Sequence, residues 1–444
     1  MSTNISLKHI NKLAIPALIA GVSEPILSIT DTAIVGNIDI NATESLAAVG
    51  IVGSFISMLI WVLGQTRSAI SSIVSQYVGA NNLDKVKNLP AQAIFIITSL
   101  SILIILVTYP FAEQIFKLYN ASDLILDNSV LYYKIRVFGF PFTLFTIAIF
   151  GTFRGLQNTY YPMIIAIVGA GSNIILDFIL VYGIEGYIPA MNIQGAAYAS
   201  VVAQLLMAVL SGYYLLKKTP ISLKLTLPFN KEMKRFTSMI LNLFVRTLAL
   251  NITLYLASAF STSYGKQYIA AYTIAINLWF LGAFIVDGYA SAGNILSGKL
   301  LGGKEYDKLI ELSNKLIRYG ITLGLILALL GGVFYYSIGT IFTKEPEVLK
   351  EFYNIFWMVL AMQPLCAIAF IFDGIFKGLG KMKELRNLLL ISTFLVFVPI
   401  LFWLDSLGLK LYAIFTAFTC WIVARGFPLI IKFRREFLPL SQKD

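Results

Sequence analysis

Leu89 to Phe111 reads LPAQAIFIITSLSILIILVTYPF, 23 residues without one charged side chain. A helix needs roughly 20 apolar residues to cross a bilayer. In lipid, only helices and closed barrels satisfy every backbone polar group. Runs this long and unbroken select helices. Working outward, hydropathy gives eleven further spans. The full set runs roughly 13–38, 46–78, 89–111, 130–155, 160–183, 195–216, 236–262, 268–300, 312–339, 352–378, 385–404 and 409–433. The second and eighth are long enough to extend past the bilayer. The expected fold is an all-α polytopic membrane protein with 12 transmembrane helices.

Composition agrees. Of 444 residues, 58% are hydrophobic and 13% charged, and mean hydropathy is +0.79. Soluble chains carry about 25% charge. A soluble enzyme, a disordered chain and a secreted disulfide scaffold are excluded. Cys366 and Cys420 both fall inside apolar runs, and the one histidine, His9, lies in the N-terminal tail. Histidine metal sites, triads and proton relays are therefore not expected. The first apolar run is too long for the core of a cleavable signal peptide.

The net charge of +11 would point a soluble protein toward nucleic acid. Here it reports membrane sidedness, and no nucleic-acid partner is expected. Alternate loops carry 23 Lys and Arg on one side and 5 on the other. Basic loops stay in the cytoplasm, so both termini and the basic connection at 217–235 are expected there. That connection divides the chain into an N-lobe, residues 1–225, and a C-lobe, residues 226–444.

The halves repeat each other. Pro141 and Gly151-Thr-Phe-Arg-Gly-Leu156 correspond to Pro364 and Gly374-Ile-Phe-Lys-Gly-Leu379, always 223 residues apart. Gly79 and Gly302, Asp84-Lys85 and Asp307-Lys308, and Ala47-Ala48 and Ala270-Ala271 share that offset. Six spans per half make the repeats parallel, related by an axis along the membrane normal. Two six-helix pseudo-symmetric lobes suit a carrier working by alternating access.

Charge inside a span costs about 2.5–3.5 kcal/mol on insertion scales and marks a functional candidate. In span 1, Glu24, Ser28 and Asp31 form one helical stripe beside Pro25, which removes a backbone donor and is expected to bend the helix. In span 5, Asn173 and Asp177 share a face, with Gly169 a turn below. Asp31 and Asp177 fall at similar depth. Two carboxylates in one poorly hydrated pocket repel each other, which favours binding a proton. The same oxygens with an amide carbonyl suit Na⁺, a hard cation. Span 8 carries Asp287, Ser291 and Asn294. Span 10 carries Asp373. Arg136 and Arg246 are candidates to neutralise nearby acids. Asp287 and Asp373 align with Gly64 and Phe150, so the scaffold is duplicated but its polar chemistry is not. No phosphate-binding Walker motif, zinc spacing or aspartate-rich diphosphate motif is present, so neither ATP nor any other cofactor is expected and an enzyme is disfavoured.

The pattern resembles the multidrug and toxic compound extrusion (MATE) family, in particular its DinF-type branch. The resemblance rests on Asp31-Thr-Ala-Ile-Val-Gly36, Arg154-Gly155, Asn173 to Asp177, Gly195-Ala-Ala-Tyr-Ala-Ser200, Asp287-Gly-Tyr-Ala290, Gln363-Pro364 through Phe370, and Asp373-Gly374. It implies a secondary antiporter that exports organic, often cationic compounds in exchange for H⁺ or Na⁺. It also implies an N-lobe proton or cation site at Asp31, Asn173 and Asp177, with the hydroxyl of Ser200 at the matching place in span 6. The chain departs from the branch in having Asn294 where Glu is common, and Lys381 near an expected Asp. The expected setting is a bacterial inner membrane, with a monomer carrying a small organic molecule. The alternative is a flippase for lipid-linked oligosaccharides, but its anionic cargo calls for several basic residues in the mid-membrane cavity. Acids outnumber bases in the first-half spans.

Overall fold

The computed structural model describes residues 5–38 and 41–442; the side chains of residues 23–29 lie outside that description, and with them the candidates Glu24, Pro25 and Ser28. Twelve long helical segments follow one another: α1 Leu7–Val35, then α2 Ala42–Gly79, α3 Leu83–Thr108, α4 Asp123–Gly155, α5 Tyr160–Val181, α6 Asn192–Lys218, α7 Met233–Ser263, α8 Lys266–Gly302, α9 Tyr306–Val333, α10 Pro346–Gly378, α11 Met382–Ser406 and α12 Leu411–Ser441. The segments α2 to α12 are each long and apolar enough to cross a membrane. The 29 residues of α1 make a helix of about 43 Å at 1.5 Å per residue, also sufficient. Among the described residues there is no β-strand. Leu103, Leu106, Val107, Leu329 and Leu395 stand exposed on their helices, as lipid-facing side chains do.

Interruptions occur where the sequence weakens the helical ladder. In α2 the helix breaks at Gly64-Gln65, where glycine lowers helix propensity by about 1 kcal/mol. In α4 a 3₁₀ turn, Val137–Gly139, precedes Pro141, whose ring forbids the ordinary backbone bond. Its repeat partner Pro364 sits inside an unbroken α10. In α11 a six-residue π-helical stretch, Ser392–Phe397, precedes Pro399.

Contacts group the chain into two units. One comprises Ile19–Val74 and Asn82–Thr237; the other comprises Met1–Leu18, Ser75–Asn81 and Ser238–Asp444. The sequence divided the chain once, between 225 and 226. The start of α1 joins the second unit because Ile10, Leu13 and Ala14 pack into an apolar cluster with Val286, Leu296, Leu312 and Ile371.

The repeat is physically visible in both units. In the first, Gly151 and Gly155 of α4 press against Arg67 and against Ser71 and Val74 of α2. In the second, Gly374 and Gly378 of α10 press against Ala290 and against Asn294 and Ser297 of α8. Each of these pairs is 223 residues apart. A Cβ on any of the four glycines would enter the neighbouring helix, so the Gly-x-x-x-Gly spacing permits backbones to touch, as at membrane helix crossings. A further close approach lies within the second unit. Gly79 meets the backbone of Lys299, and Gly302 meets the backbone of Gln76, a reciprocal contact under the same offset. Gln76 donates its Nε2 proton to Gly378 O at 2.8 Å.

Candidate cation site

Three helices of the first unit bring the sequence candidates together. Asp31 lies in the last two turns of α1, Asn173 and Asp177 one turn apart on α5, and Ser200 on α6. All four side chains are buried, Asp177 completely. The α5 face that carries them is cut close by Gly169, which lies against Met207 of α6. Small residues on the facing turns of α6, Gly195, Ala196, Ala199 and Ala203, are buried too. That composition draws α5 and α6 together and encloses the polar residues between helices instead of exposing them to lipid.

The hydrogen bonding divides the four into two pairs. Ser200 Oγ donates to Asp31 Oδ2 at 3.2 Å. Asn173 Nδ2 donates to Asp177 Oδ2 at 2.8 Å. The two carboxyls lie within side-chain hydrogen-bonding range of each other, and Asn173 lies within that range of Asp31. The second oxygens, Asp31 Oδ1 and Asp177 Oδ1, are buried without a hydrogen-bond partner. Buried polar atoms are almost always paired, and an unpaired one costs about 1–3 kcal/mol, more when charged. Two such oxygens on neighbouring acids make a place for a positive ion: one proton shared between them, or a small hard cation held by both with the Asn173 carbonyl and Ser200 hydroxyl.

Arg136 supplies the balancing charge. It is half-buried on α4 and donates Nη1 to Gln204 Oε1 at 2.8 Å, with the buried Tyr132 hydroxyl in hydrogen-bonding range. It acts on both acids through space rather than by a direct ion pair. Sequence reading singled out Arg136 but missed Tyr132 and Gln204. Each lies four residues from a named candidate, Arg136 and Ser200 respectively, and helical spacing alone points to them.

The second-half candidates form a different arrangement. Arg246 of α7 pairs with Asp373 of α10, Nη2 to Oδ1 at 2.5 Å, and Lys377 Nζ meets Oδ2 at 2.8 Å. Both Asp373 oxygens are thus occupied by cations. Arg246 neutralises an acid as its position suggested, whereas Arg136 does not pair directly with one. Lys377 closes the last turn of α10 and folds back onto Asp373. Asn294 is buried at the α8–α10 crossing. Asp287 is exposed on α8 and joins neither cluster. Cys366 and Cys420 are free thiols.

The MatE family model matches the chain twice, over residues 16–179 and 239–403. The two blocks start 223 residues apart, the offset of the internal repeat. DNA damage-inducible protein F of Escherichia coli is 26% identical over 436 residues, covering 96% of this chain and 91% of that protein. Multidrug resistance protein MdtK of Yersinia enterocolitica is 26% identical over 387 residues, covering 86% and 83%. A crystal structure of MATE in the bent conformation superposes with a TM-score of 0.90 at 19% identity, covering 98% of this chain and 96% of that one. The duplicated helical scaffold and the family match over well beyond half its length lead to one conclusion: the chain belongs to the MatE family, as a multi-pass membrane protein with the fold of the MATE transporters.

Proposed function

We propose that the chain is a secondary active antiporter that exports organic compounds, cationic or amphiphilic, in exchange for inward H⁺ or Na⁺. The observation that carries this reading is the pair of buried carboxyls, Asp31 and Asp177, each with one oxygen lacking a hydrogen-bond partner. With the pair ionised, the first unit attracts a positively charged or polarisable organic molecule. A proton or Na⁺ arriving from outside compensates the same oxygens, removes that attraction and releases the molecule. Because cargo and coupling ion compete for one charge site, export is tied to ion entry. Inward movement of one charge yields about 2.3 kcal/mol per 100 mV.

The excess of Lys and Arg in alternate loops supports cytoplasmic termini, and the bacterial relatives support an inner-membrane setting. The flippase alternative calls for several basic residues beside the candidate site, and among the described residues of the first unit Arg136 is the basic residue that acts on Asp31 and Asp177. The test is purified protein in proteoliposomes, loaded with a fluorescent organic cation, under an imposed pH gradient and then an imposed Na⁺ gradient. Export driven by either gradient supports antiport and names the ion. Export indifferent to both overturns it.

A further inference from the structure

The second unit contains a buried cationic cluster that the antiport scheme does not use. Arg246, Lys377 and Arg425 surround Asp373, three positive groups to one negative. Arg425 sits in the middle of α12 and is 5% exposed. Its guanidinium carbon lies 4.6 Å from the Trp421 ring centre and 5.1 Å from that of Phe370. Cation–π stacking of this kind engages the flat face of a guanidinium. The N–H bonds lie in its plane and are left over: Nη1 and Nη2 are both buried without a hydrogen-bond partner. Those two atoms carry four of the five arginine donors. Asp373 bonds to Arg246 and Lys377 and makes no hydrogen bond to either Nη atom.

A buried charge without hydrogen bonds is costly, so its surroundings should be organised for some purpose. They are. Trp421 Nε1 donates to Thr393 Oγ1 at 3.1 Å, and Thr393 also bonds Thr253 at 3.1 Å. Thr393 lies on the π-helical stretch of α11, a distortion that often marks a functional position in a helix. This network fixes the ring over which Arg425 lies. Lys377 repeats Arg154 of the first half, but Arg246 aligns with Ser23 and Arg425 with Val202. The scaffold repeat therefore does not require those two arginines.

We infer that Arg425, backed by Arg246 and Lys377 and floored by Trp421 and Phe370, forms a binding site for an oxyanion of the carboxylate or phosphate type. An oxyanion matches the in-plane fork of the guanidinium and compensates the excess positive charge. The source is a soluble organic anion or an anionic lipid headgroup. This site is separate from the Asp31–Asp177 pair, and binding there is measurable whether or not export is coupled to an ion.

The experiment uses the full chain in nanodiscs of phosphatidylcholine, titrated calorimetrically with benzoate, with inorganic phosphate, and with benzamide as the uncharged counterpart. A second set of nanodiscs contains phosphatidylglycerol. Benzoate or phosphate is expected to bind saturably, benzamide not at all, and Arg425→Gln to weaken binding at least tenfold. Arg425→Lys, which keeps the charge but loses the fork, should weaken it severalfold and serves if the glutamine variant misfolds. Trp421→Phe should abolish an anion-induced change in tryptophan fluorescence while calorimetric binding persists. If only phosphatidylglycerol stabilises the protein, and only with Arg425 present, the oxyanion is a lipid headgroup. Equal binding by wild type and both Arg425 variants, or no Arg425-dependent response to benzoate, phosphate or phosphatidylglycerol, would overturn the assignment.

Discussion

Asp31→Asn changes one atom in a buried pair and separates fold from coupling. Asparagine has the shape of aspartate. Its carbonyl accepts from Ser200 Oγ, which bonds Asp31 Oδ2 at 3.2 Å in the native chain. Its amide points a donor toward Asp177 Oδ1, which otherwise has no partner. The variant therefore fills a gap in the hydrogen bonding, and its thermal stability should equal or exceed that of wild type. Coupling should behave oppositely. The site loses one of its two acids, and the other is already bonded to Asn173 at 2.8 Å. At 100 mV, one inward charge supplies about 2.3 kcal/mol, and 1.36 kcal/mol is tenfold. Wild type can thus sustain a substrate ratio of about 50-fold for each net charge moved. The variant should sustain none. Proteoliposomes holding a fluorescent uncharged amphiphile, for which each inward proton moves one net charge, give the steady-state ratio directly under a potassium–valinomycin potential. A folded Asp31→Asn protein that still maintains a ratio above a few-fold would refute the reasoning.

Asp373→Asn should do the reverse. It leaves Arg246 and Lys377 without their carboxylate, a loss of about 3–5 kcal/mol for a broken buried pair, so melting in detergent should fall steeply; unchanged melting with lost export would instead make Asp373 a coupling group. Gly374→Ala drives a methyl into the Ala290 backbone and should cost about 1–3 kcal/mol by overpacking, whereas Gly50→Ala, with open space around it, should be neutral in the same melting assay. His9, the single histidine, gives one unambiguous imidazole NMR signal. Burial first, then Lys299 and Lys12, push its pKa below the ordinary 6.5. The unfolded chain then binds more protons around that value, so its contribution to stability is present above pH 6.5 and lost as pH falls; a midpoint at or above 6.5 would contradict the packing of the α1 start against α8.

The sequence by itself determined the membrane class, the helical spans and the duplication. Hydropathy and a constant 223-residue offset are properties of the chain order, and bilayer thickness converts the first directly into helices. It also named Asp31, Asn173 and Asp177, because acids are costly in lipid and helical spacing puts Asn173 one turn from Asp177; Ser200 came only from the resemblance to the family. What chain order could not decide was which polar atoms meet. Asp373 and Asp177 look alike as acids within spans, yet one has both oxygens held by Arg246 and Lys377 and the other keeps one oxygen unpaired. Arg425 reads as one more basic residue within span 12 until Trp421 and Phe370 are seen to stack with its guanidinium and leave its Nη N–H bonds unspent. Likewise Gly151 and Gly374 announce a repeat in sequence, but only the packed helices show that Arg67 and Ala290 lie against them. Contacts such as Ser200 with Asp31 and Arg246 with Asp373 depend on distances of a few ångströms between residues more than a hundred positions apart, and only the packing of helices against each other sets those distances.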